Sequence, residues 1–262
     1  MTFPYAKVLV LGATSGIGRA LADSFIAHGS KVVAVGRRQS LLDDFVSQHG
    51  QDKAFAHSFD VSRVADIPSF AKSITADHPD IDCVLLNAGI QRVLDFSKPE
   101  TVDIDLVQEE ISVNYVSIVA LTKAFLPFLL AKDGPSTLMY TSSGLAFVPL
   151  ARVPNYCASK AAMHHFILCL RQQLSESPIK IVELFPPLVQ SELHDDQPGV
   201  ENPRSWGMPV DLYVKKTIEG LAEGKEDVPV GTSVSSYDAV EGARAVAQQA
   251  LVDAVKAQTR QS

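Results

Sequence analysis

The sequence predicts an α/β protein, a doubly wound sheet of about seven mostly parallel strands with helices on both faces, formed by one domain over residues 1–262. Three observations predict it. Short apolar runs alternate with longer helical patterns along almost the whole chain. Several of those runs lack polar alternation, as strands covered on both faces do. The first run ends in a glycine cluster that opens a helix.

Taken in order, the strand candidates are 7–11 (KVLVL), 31–35 (KVVAV), 54–59, 81–86 (IDCVLL), 136–141 (STLMYT), 179–185 (IKIVELF) and 227–231 (DVPVG). Helical patterns lie near 17–28, 40–49, 66–77, 103–131, 155–175 and 209–223. No Gly/Ser linker or charge block interrupts this rhythm. The stretch His194 to Met208 is polar and rich in proline and glycine, so 188–208 reads as a loop on the substrate side. The alanine-rich segment 239–258 reads as a C-terminal helix with Val240, Ala243, Ala247, Ala250, Leu251 and Ala254 on one face. That face either packs on its own domain or meets a second subunit.

Composition narrows the function classes. Hydrophobic residues make up 46% and charged residues 20%, the balance of a packed globular chain and not of a disordered one. Lys+Arg 23 against Asp+Glu 30 gives a net charge of −7, which argues against nucleic acid or an anionic membrane as the main partner. Cys83, Cys157 and Cys169 have no metal-ligand spacing and read as reduced thiols. The start MTFPYAK lacks a signal-peptide pattern, and the apolar stretch Ser117 to Ala131 holds Lys123 and Pro127 and reads as too short for a bilayer. The expectation is a cytoplasmic protein.

The cluster Gly12-Ala13-Thr14-Ser15-Gly16-Ile17-Gly18 follows a buried strand and opens a helix. Glycines let backbone approach a pyrophosphate closely, and the helix start offers free N–H groups and a positive dipole end. The second strand ends in Gly36-Arg37-Arg38, with no carboxylate before Asp43. An acidic residue there would accept from the ribose 2′-hydroxyl of NAD, whereas arginine suits the 2′-phosphate of NADP. Arg37 is the expected contact, with Arg38 sharing the phosphate or stacking on adenine.

At this point the chain resembles the short-chain dehydrogenase/reductase family, over residues 7 to about 191. The landmarks occur in order: Gly12, Gly16 and Gly18, then Asp60-Val61, Asn87-Ala88-Gly89, Asn114, Ser143, and Tyr156-Cys157-Ala158-Ser159-Lys160. The resemblance implies a Rossmann-like fold and a catalytic set of Asn114, Ser143, Tyr156 and Lys160. It also implies cofactor contacts from Gly12, Thr14, Ser15, Gly16, Ile17, Gly18, Arg37, Arg38, Asp60, Val61, Asn87, Ala88, Gly89, Tyr156, Lys160, Val189 and Ser191.

Tyr156 and Lys160 are i and i+4, so on a helix they share a face. A nearby ammonium is expected to lower the phenol's proton affinity, letting it exchange a proton with a developing alkoxide. Ser143, thirteen positions before Tyr156, would donate a hydrogen bond to the substrate oxygen. By resemblance, Asn114 holds a water in a relay to Lys160, and Lys160 also meets the nicotinamide ribose. His164 and His165 read as structural, and no metal site is expected. One departure stands out. The family usually has Pro-Gly after the sixth strand, where this chain has Pro186-Pro187.

The expected activity is NADP(H)-dependent interconversion of a ketone or aldehyde and an alcohol, as in a carbonyl reductase. A non-redox dehydratase, epimerase or isomerase on the same scaffold is the alternative, followed by a nucleotide-sensing regulator. Substrate contacts are expected from Leu145 to Val153 and from the 188–208 loop. Phe147, Leu193, Trp206 and Met208 are the apolar candidates there, Arg152 and His194 the polar ones. Leu121, Phe125, Phe128, Leu129, Phe166, Leu170 and Leu174 give the two long helices more apolar surface than one sheet easily covers, and the resemblance implies that these helices pair across a two-fold axis in a homodimer or homotetramer.

Overall fold

Strand and helix alternate from the first element to the last. The computed structural model describes residues 3–195 and 201–259. In it β1 (Lys7–Leu11) leads to α1 (Gly16–Ala27), β2 (Lys31–Gly36) to α2 (Gln39–His49), and β3 (Ala54–Ser58) to α3 (Ile67–Asp77). After β4 (Cys83–Leu86) comes one long helical stretch: α4 (Ile104–Ile111), a π-helical turn (Ser112–Val116) and α5 (Ser117–Leu130). Then follow β5 (Ser136–Thr141), α6 (Pro154–Gln173), β6 (Ile179–Phe185), α7 (Val210–Ala222), β7 (Asp227–Pro229) and α8 (Thr232–Thr259).

All seven strands pair in parallel, in the order β3-β2-β1-β4-β5-β6-β7. The order reverses between β1 and β4, and a crevice at the carboxyl ends of those strands is where such sheets bind ligands. Both faces are covered. Leu21, Phe25, Leu42, Phe45, Tyr213 and Ile218 form the core under α1, α2 and α7. Ile67, Ile74, Phe125, Leu129, Met163 and Ile167 form the core under α3, α5 and α6. Two-sided burial explains why β1, β4 and β5 lack polar alternation, every residue of each being buried.

Three expectations change. The helical stretch Ile104–Leu130 is, by length and composition, long and apolar enough to cross a membrane, so the view that its apolar part is too short does not hold. Its apolar residues are used inside the fold instead. Leu121, Phe125, Leu129 and Leu170 are buried within the chain, where α3 packs on α5, and Phe128, Phe166 and Leu174 are half-buried against the same core. The C-terminal helix begins at Thr232, not 239, and its predicted face does not pack on its own domain. Ser233 and Glu241 are buried, but Ala243, Ala247, Ala250 and Ala254 are exposed and Leu251 is 66% exposed. The 188–208 loop consists of short 3₁₀ turns at Glu192–His194 and Pro203–Ser205, with residues 196–200 outside the described range. A parallel bridge from Val189 to Met208 closes its base.

A polar chain ties the sheet's amino edge. Lys7 Nζ donates to Asp80 (2.8 Å) and to His78 Nδ1 (3.1 Å), which leaves the His78 proton on Nε2, facing His57 Nε2 at 3.1 Å. Burial lowers the proton affinity of both histidines. A base held below its ordinary value binds fewer protons folded than unfolded. Stability therefore falls as pH drops from the ordinary histidine value, about 6.5, toward the lowered ones. Thermal melts of His57→Gln, which keeps an acceptor for His78 but takes no proton, should lose less Tm across that acid window than the unmodified protein. Equal acid sensitivity would mean that this pair carries none of it.

Candidate active site

The site is built on the carboxyl ends of β1, β2, β4, β5 and β6. A cavity of about 830 Å³ runs from the loop after β1 to the start of α6, across the point where the strand order reverses. Gly12, Thr14, Ser15, Gly16 and Ile17 form one end of its wall, with Arg37, Arg38, Asp60, Val61, Asn87, Ala88 and Gly89 beside them.

The glycine loop is held by backbone. Gly12 and Ala13 both donate to the Val35 carbonyl at 2.9 Å. Gly12 has φ +90°, and a Cβ there would lie 2.8 Å from the Ala88 backbone, so the turn admits no side chain. Gly18 lies behind the loop and does not line the cavity. A Cβ on it would stand 2.0 Å from the Gly12 carbonyl oxygen and 2.4 Å from Asn87 Nδ2. Asn87 Nδ2 donates to that same carbonyl at 3.1 Å, which joins the β4 end to the loop.

Both arginines line the cavity, but they are held differently. Arg37 leans toward Asp60 at 3.9 Å, and its side chain is 69% exposed. Arg38 folds over the loop, donating to Thr14 and Ser15, and pairs with Glu192 at 2.8 Å. The hydrogen bond to Ser15, with help from Arg38, holds the Glu192 carboxyl below its usual range. A Cβ on Gly36 would meet Thr14 Cγ2 at 2.5 Å, so a side chain there would have to displace the Thr14 methyl.

Ser143, Tyr156 and Lys160 line the other end of the cavity. Ser143 caps a short 3₁₀ turn, accepting from Leu145 N at 3.1 Å, and its hydroxyl lies near enough to Tyr156 to favour ionisation of the phenol. Lys160 Nζ donates to the Thr141 carbonyl at 2.8 Å and lies 5.5 Å from the centre of the Tyr156 ring. The expected net lowering of the phenol's proton affinity is corrected here. Burial raises it and outweighs the opposing Ser143, while the Lys160 ammonium lies beside the ring and donates to the strand carbonyl. Burial also pushes Lys160 down, to about 8.

Asn114 sits in the π-helical turn, fully buried behind Gly89 and off the cavity wall. Its Oδ1 accepts from Ile90 N (2.9 Å), and its Nδ2 donates to the Ile90 carbonyl (2.8 Å) and to Ser159 (3.1 Å). The side chain thus locks the loop after β4 onto α6. Gly89 is the meeting point, since a Cβ there would lie 3.3 Å from Asn114 Oδ1 and 3.8 Å from Lys160 Nζ.

Val189 and Ser191 line the cavity, as do Pro186 and Pro187. The second proline is accommodated, with the Pro186 carbonyl accepting from Gly144 N at 3.1 Å. Of the substrate-side candidates, Leu193, Trp206, Arg152 and His194 line the cavity. Phe147 and Met208 do not. Phe147 stacks on His164, Phe185 and Tyr237, and Met208 packs on the core below. Thr232, Ser233 and Ser236 of α8 also line the wall, and a helix starting at 239 would not have reached it. A proline, a glycine and a threonine at 229, 231 and 232 carry the turn signal that marks its true start.

Residues 6–199 match the short chain dehydrogenase family. The chain belongs to that family. It is 32% identical over 221 residues to an uncharacterised oxidoreductase, DltE, of Bacillus subtilis, covering 84% of this chain and 86% of the relative. It is 30% identical over 182 residues to an NADP-dependent 3-hydroxy acid dehydrogenase, YdfG, of Shigella flexneri, covering 70% of this chain and 72% of the relative. A short-chain dehydrogenase from Sphingobium yanoikuyae in complex with NADPH superposes with TM-score 0.81 at 23% identity, covering 93% of this chain and 95% of the other. Another, from Burkholderia phymatum in complex with NAD, gives 0.77 at 18% identity, covering 87% and 89%. These likenesses agree with the Rossmann-like fold of this short chain dehydrogenase.

Gly18→Ala tests the loop packing. With carbonyl and amide both inside contact distance, the loop must shift, at a cost of about 1–3 kcal/mol. A urea midpoint that is clearly lowered is the expected result, and an unchanged one would show that the close approach is relieved freely.

Proposed function

We propose that this chain is an NADP(H)-dependent oxidoreductase that interconverts a ketone or aldehyde with an alcohol, with Tyr156 as general acid and base. The observation that carries the reading is one cavity holding both the glycine cradle and the Ser143–Tyr156 hydroxyl pair, with Lys160 beside them. The cradle fits a dinucleotide, because Gly12 keeps side chains away from the turn and α1 begins at Gly16 with its free N–H groups. When bound, the nicotinamide supplies or accepts the hydride.

The chain's own residues then manage position and protons. Ser143 donates to the carbonyl oxygen, and Tyr156 delivers the proton that turns the developing alkoxide into an alcohol. Burial keeps the phenol protonated at neutral pH, the form that reduction needs. The nearby Lys160 ammonium stabilises negative charge as that proton leaves. Leu145, Leu150, Leu193 and Trp206 make the substrate end partly apolar, which suits a mid-sized carbonyl compound. NADP(H) is favoured by Arg37 and Arg38 beside the loop and by Gly36, which offers no carboxylate to a ribose 2′-hydroxyl. The NADP-dependent relative YdfG supports the same choice.

Two measurements test the reading. Tyr156→Phe should keep the fold and cofactor binding while ketone reduction, followed as NADPH oxidation, falls by about 10²–10⁴-fold. Retained turnover would remove this mechanism. NADPH should be preferred over NADH by roughly 10–100-fold in kcat/KM, or ~1.4–2.8 kcal/mol. Arg37→Ala and Arg38→Ala should cut NADPH efficiency and leave NADH nearly unchanged. Equal efficiency with both cofactors in the unmodified chain would overturn the cofactor assignment.

A further inference from the structure

Three side chains of α6 stand four residues apart: Tyr156, Lys160 and His164. That spacing puts them on one stripe of the helix, one turn after another. His164 is 2% exposed and lies between two carboxylates. Its Nδ1 is 2.9 Å from Glu183 Oε2 on β6, and its Nε2 is 3.1 Å from Glu241 Oε1 on α8. Arg244 Nε closes the outer end, 2.8 Å from Glu241 Oε1. A neutral imidazole has one donor and one acceptor, so it would aim a lone pair at one carboxylate. Two carboxylate partners call for the imidazolium, with both ring nitrogens donating. Burial alone would lower this histidine's proton affinity, but the bonds and charges of Glu183 and Glu241 outweigh it and raise it.

Charges therefore alternate from the site to the surface: Lys160 positive, Glu183 negative, His164 positive, Glu241 negative, Arg244 positive. Glu183 is fully buried, and its second oxygen, Oε1, has no hydrogen-bond partner. A buried carboxylate with a spare oxygen is costly unless a positive charge faces it. The His164 imidazolium meets Oε2. Glu183 stands opposite Tyr140 on β5, beside the Thr141 carbonyl that holds Lys160. Lys160 is the next cation along the stripe and approaches Glu183 without forming an ion pair within 4.0 Å.

We propose that Glu183, paired with His164 through Oε2, is a positioning residue for Lys160, supplying the buried negative charge that keeps this ammonium protonated inside the cavity wall. The inference rests on the reading of Lys160 as the charged partner of Tyr156. The other groups around Lys160 are Glu110 of α4, Tyr156 on its own helix and the Thr141 carbonyl of β5. Glu110 is engaged by Arg92 N at 2.9 Å and Asn155 Nδ2 at 2.6 Å, and burial raises its proton affinity, which weakens it as a source of negative charge. Around His164, Tyr237 of α8 is engaged by Asp227 at 2.8 Å, while Phe147 and Phe185 shield the ring and carry no charge. Glu183 is also the first charge to oppose the effect of burial on Lys160.

The test reads Lys160 directly and needs no substrate or cofactor. Competitive acetylation with acetic anhydride across pH, quantified by peptide mass spectrometry, gives the midpoint at which Lys160 becomes reactive. In the unmodified chain Lys160 should be more than half protonated at neutral pH, and finding it largely deprotonated there overturns the proposal without any variant. Glu183→Gln should lower the midpoint by about 1–2 pH units, the usual effect of losing a close opposite charge. The double change Glu183→Gln with His164→Gln keeps a neutral hydrogen-bonded pair and should lower it likewise. Glu241→Gln should reduce Tm by loosening α8 but should not lower the midpoint. A midpoint unchanged in folded Glu183→Gln or in the double variant, with only stability lost, would make the chain of charges a structural tie and overturn the inference. A lowered midpoint in a protein that reduces no carbonyl compound would instead count against the reductase reading alone.

Discussion

The reversal of strand order between β1 and β4 is the constraint on which the rest of the structure depends. Crossovers leave the sheet in opposite directions from these two neighbours, so the chain cannot cover the crevice above their carboxyl ends. Into that gap the fold places backbone and not side chains: the Gly12 turn from β1 and the Asn87-Ala88-Gly89 loop from β4. Asn87 bonds the two loops together, which ties the glycine turn to the end of β4. Because all seven strands are parallel, Ser143 after β5 and Val189 after β6 arrive at the same edge.

Burial supplies the chemistry on that scaffold, and its sign differs from group to group. A phenol out of water keeps its proton, and an ammonium out of water loses its own more readily. Tyr156 and Lys160 are both moved in this way, toward neutral forms. Carboxylates on β6 and α4 push Lys160 back toward its charged form. The π-helical turn at Ser112–Val116 serves the same region by presenting Asn114, whose three hydrogen bonds bind the β4 loop to α6. The active-site helix is thus held by polar contacts at 159, 160 and 164 as well as by its apolar face. Buried polar groups tolerate few alternative arrangements, which suits a site that must hold its geometry.

Much of the site is legible in the sequence. Gly12, Tyr156 and Lys160 stand at a strand end or on one helix face, where local spacing places them, and the resemblance to the family adds Ser143. Three features are not legible there, each for a reason of long-range packing. Arg37 and Arg38 are adjacent, and only the arrival of Glu192 from the far loop shows which one turns over the glycine cradle. Phe147 sits among pocket residues in sequence, yet three aromatic neighbours on different elements turn it inward. The α8 face reads as a packing stripe, but past Glu241 the helix extends beyond the sheet and Leu251 stays exposed.

The sequence by itself determined the alternation of elements, the parallel sheet and the glycine turn, because these follow from local periodicity and from the steric freedom of glycine. It also placed the Tyr156–Lys160 pair, since a separation of four residues on a helix is a local fact. Only the tertiary structure decided the protonation preferences and the partners of the charged groups. His164 shows why. Its role depends on Glu183, nineteen residues away on another strand, and on Glu241, seventy-seven residues away on the last helix. Coulomb interactions and desolvation act through space, and no pattern along the chain records the distance between groups that folding brings together.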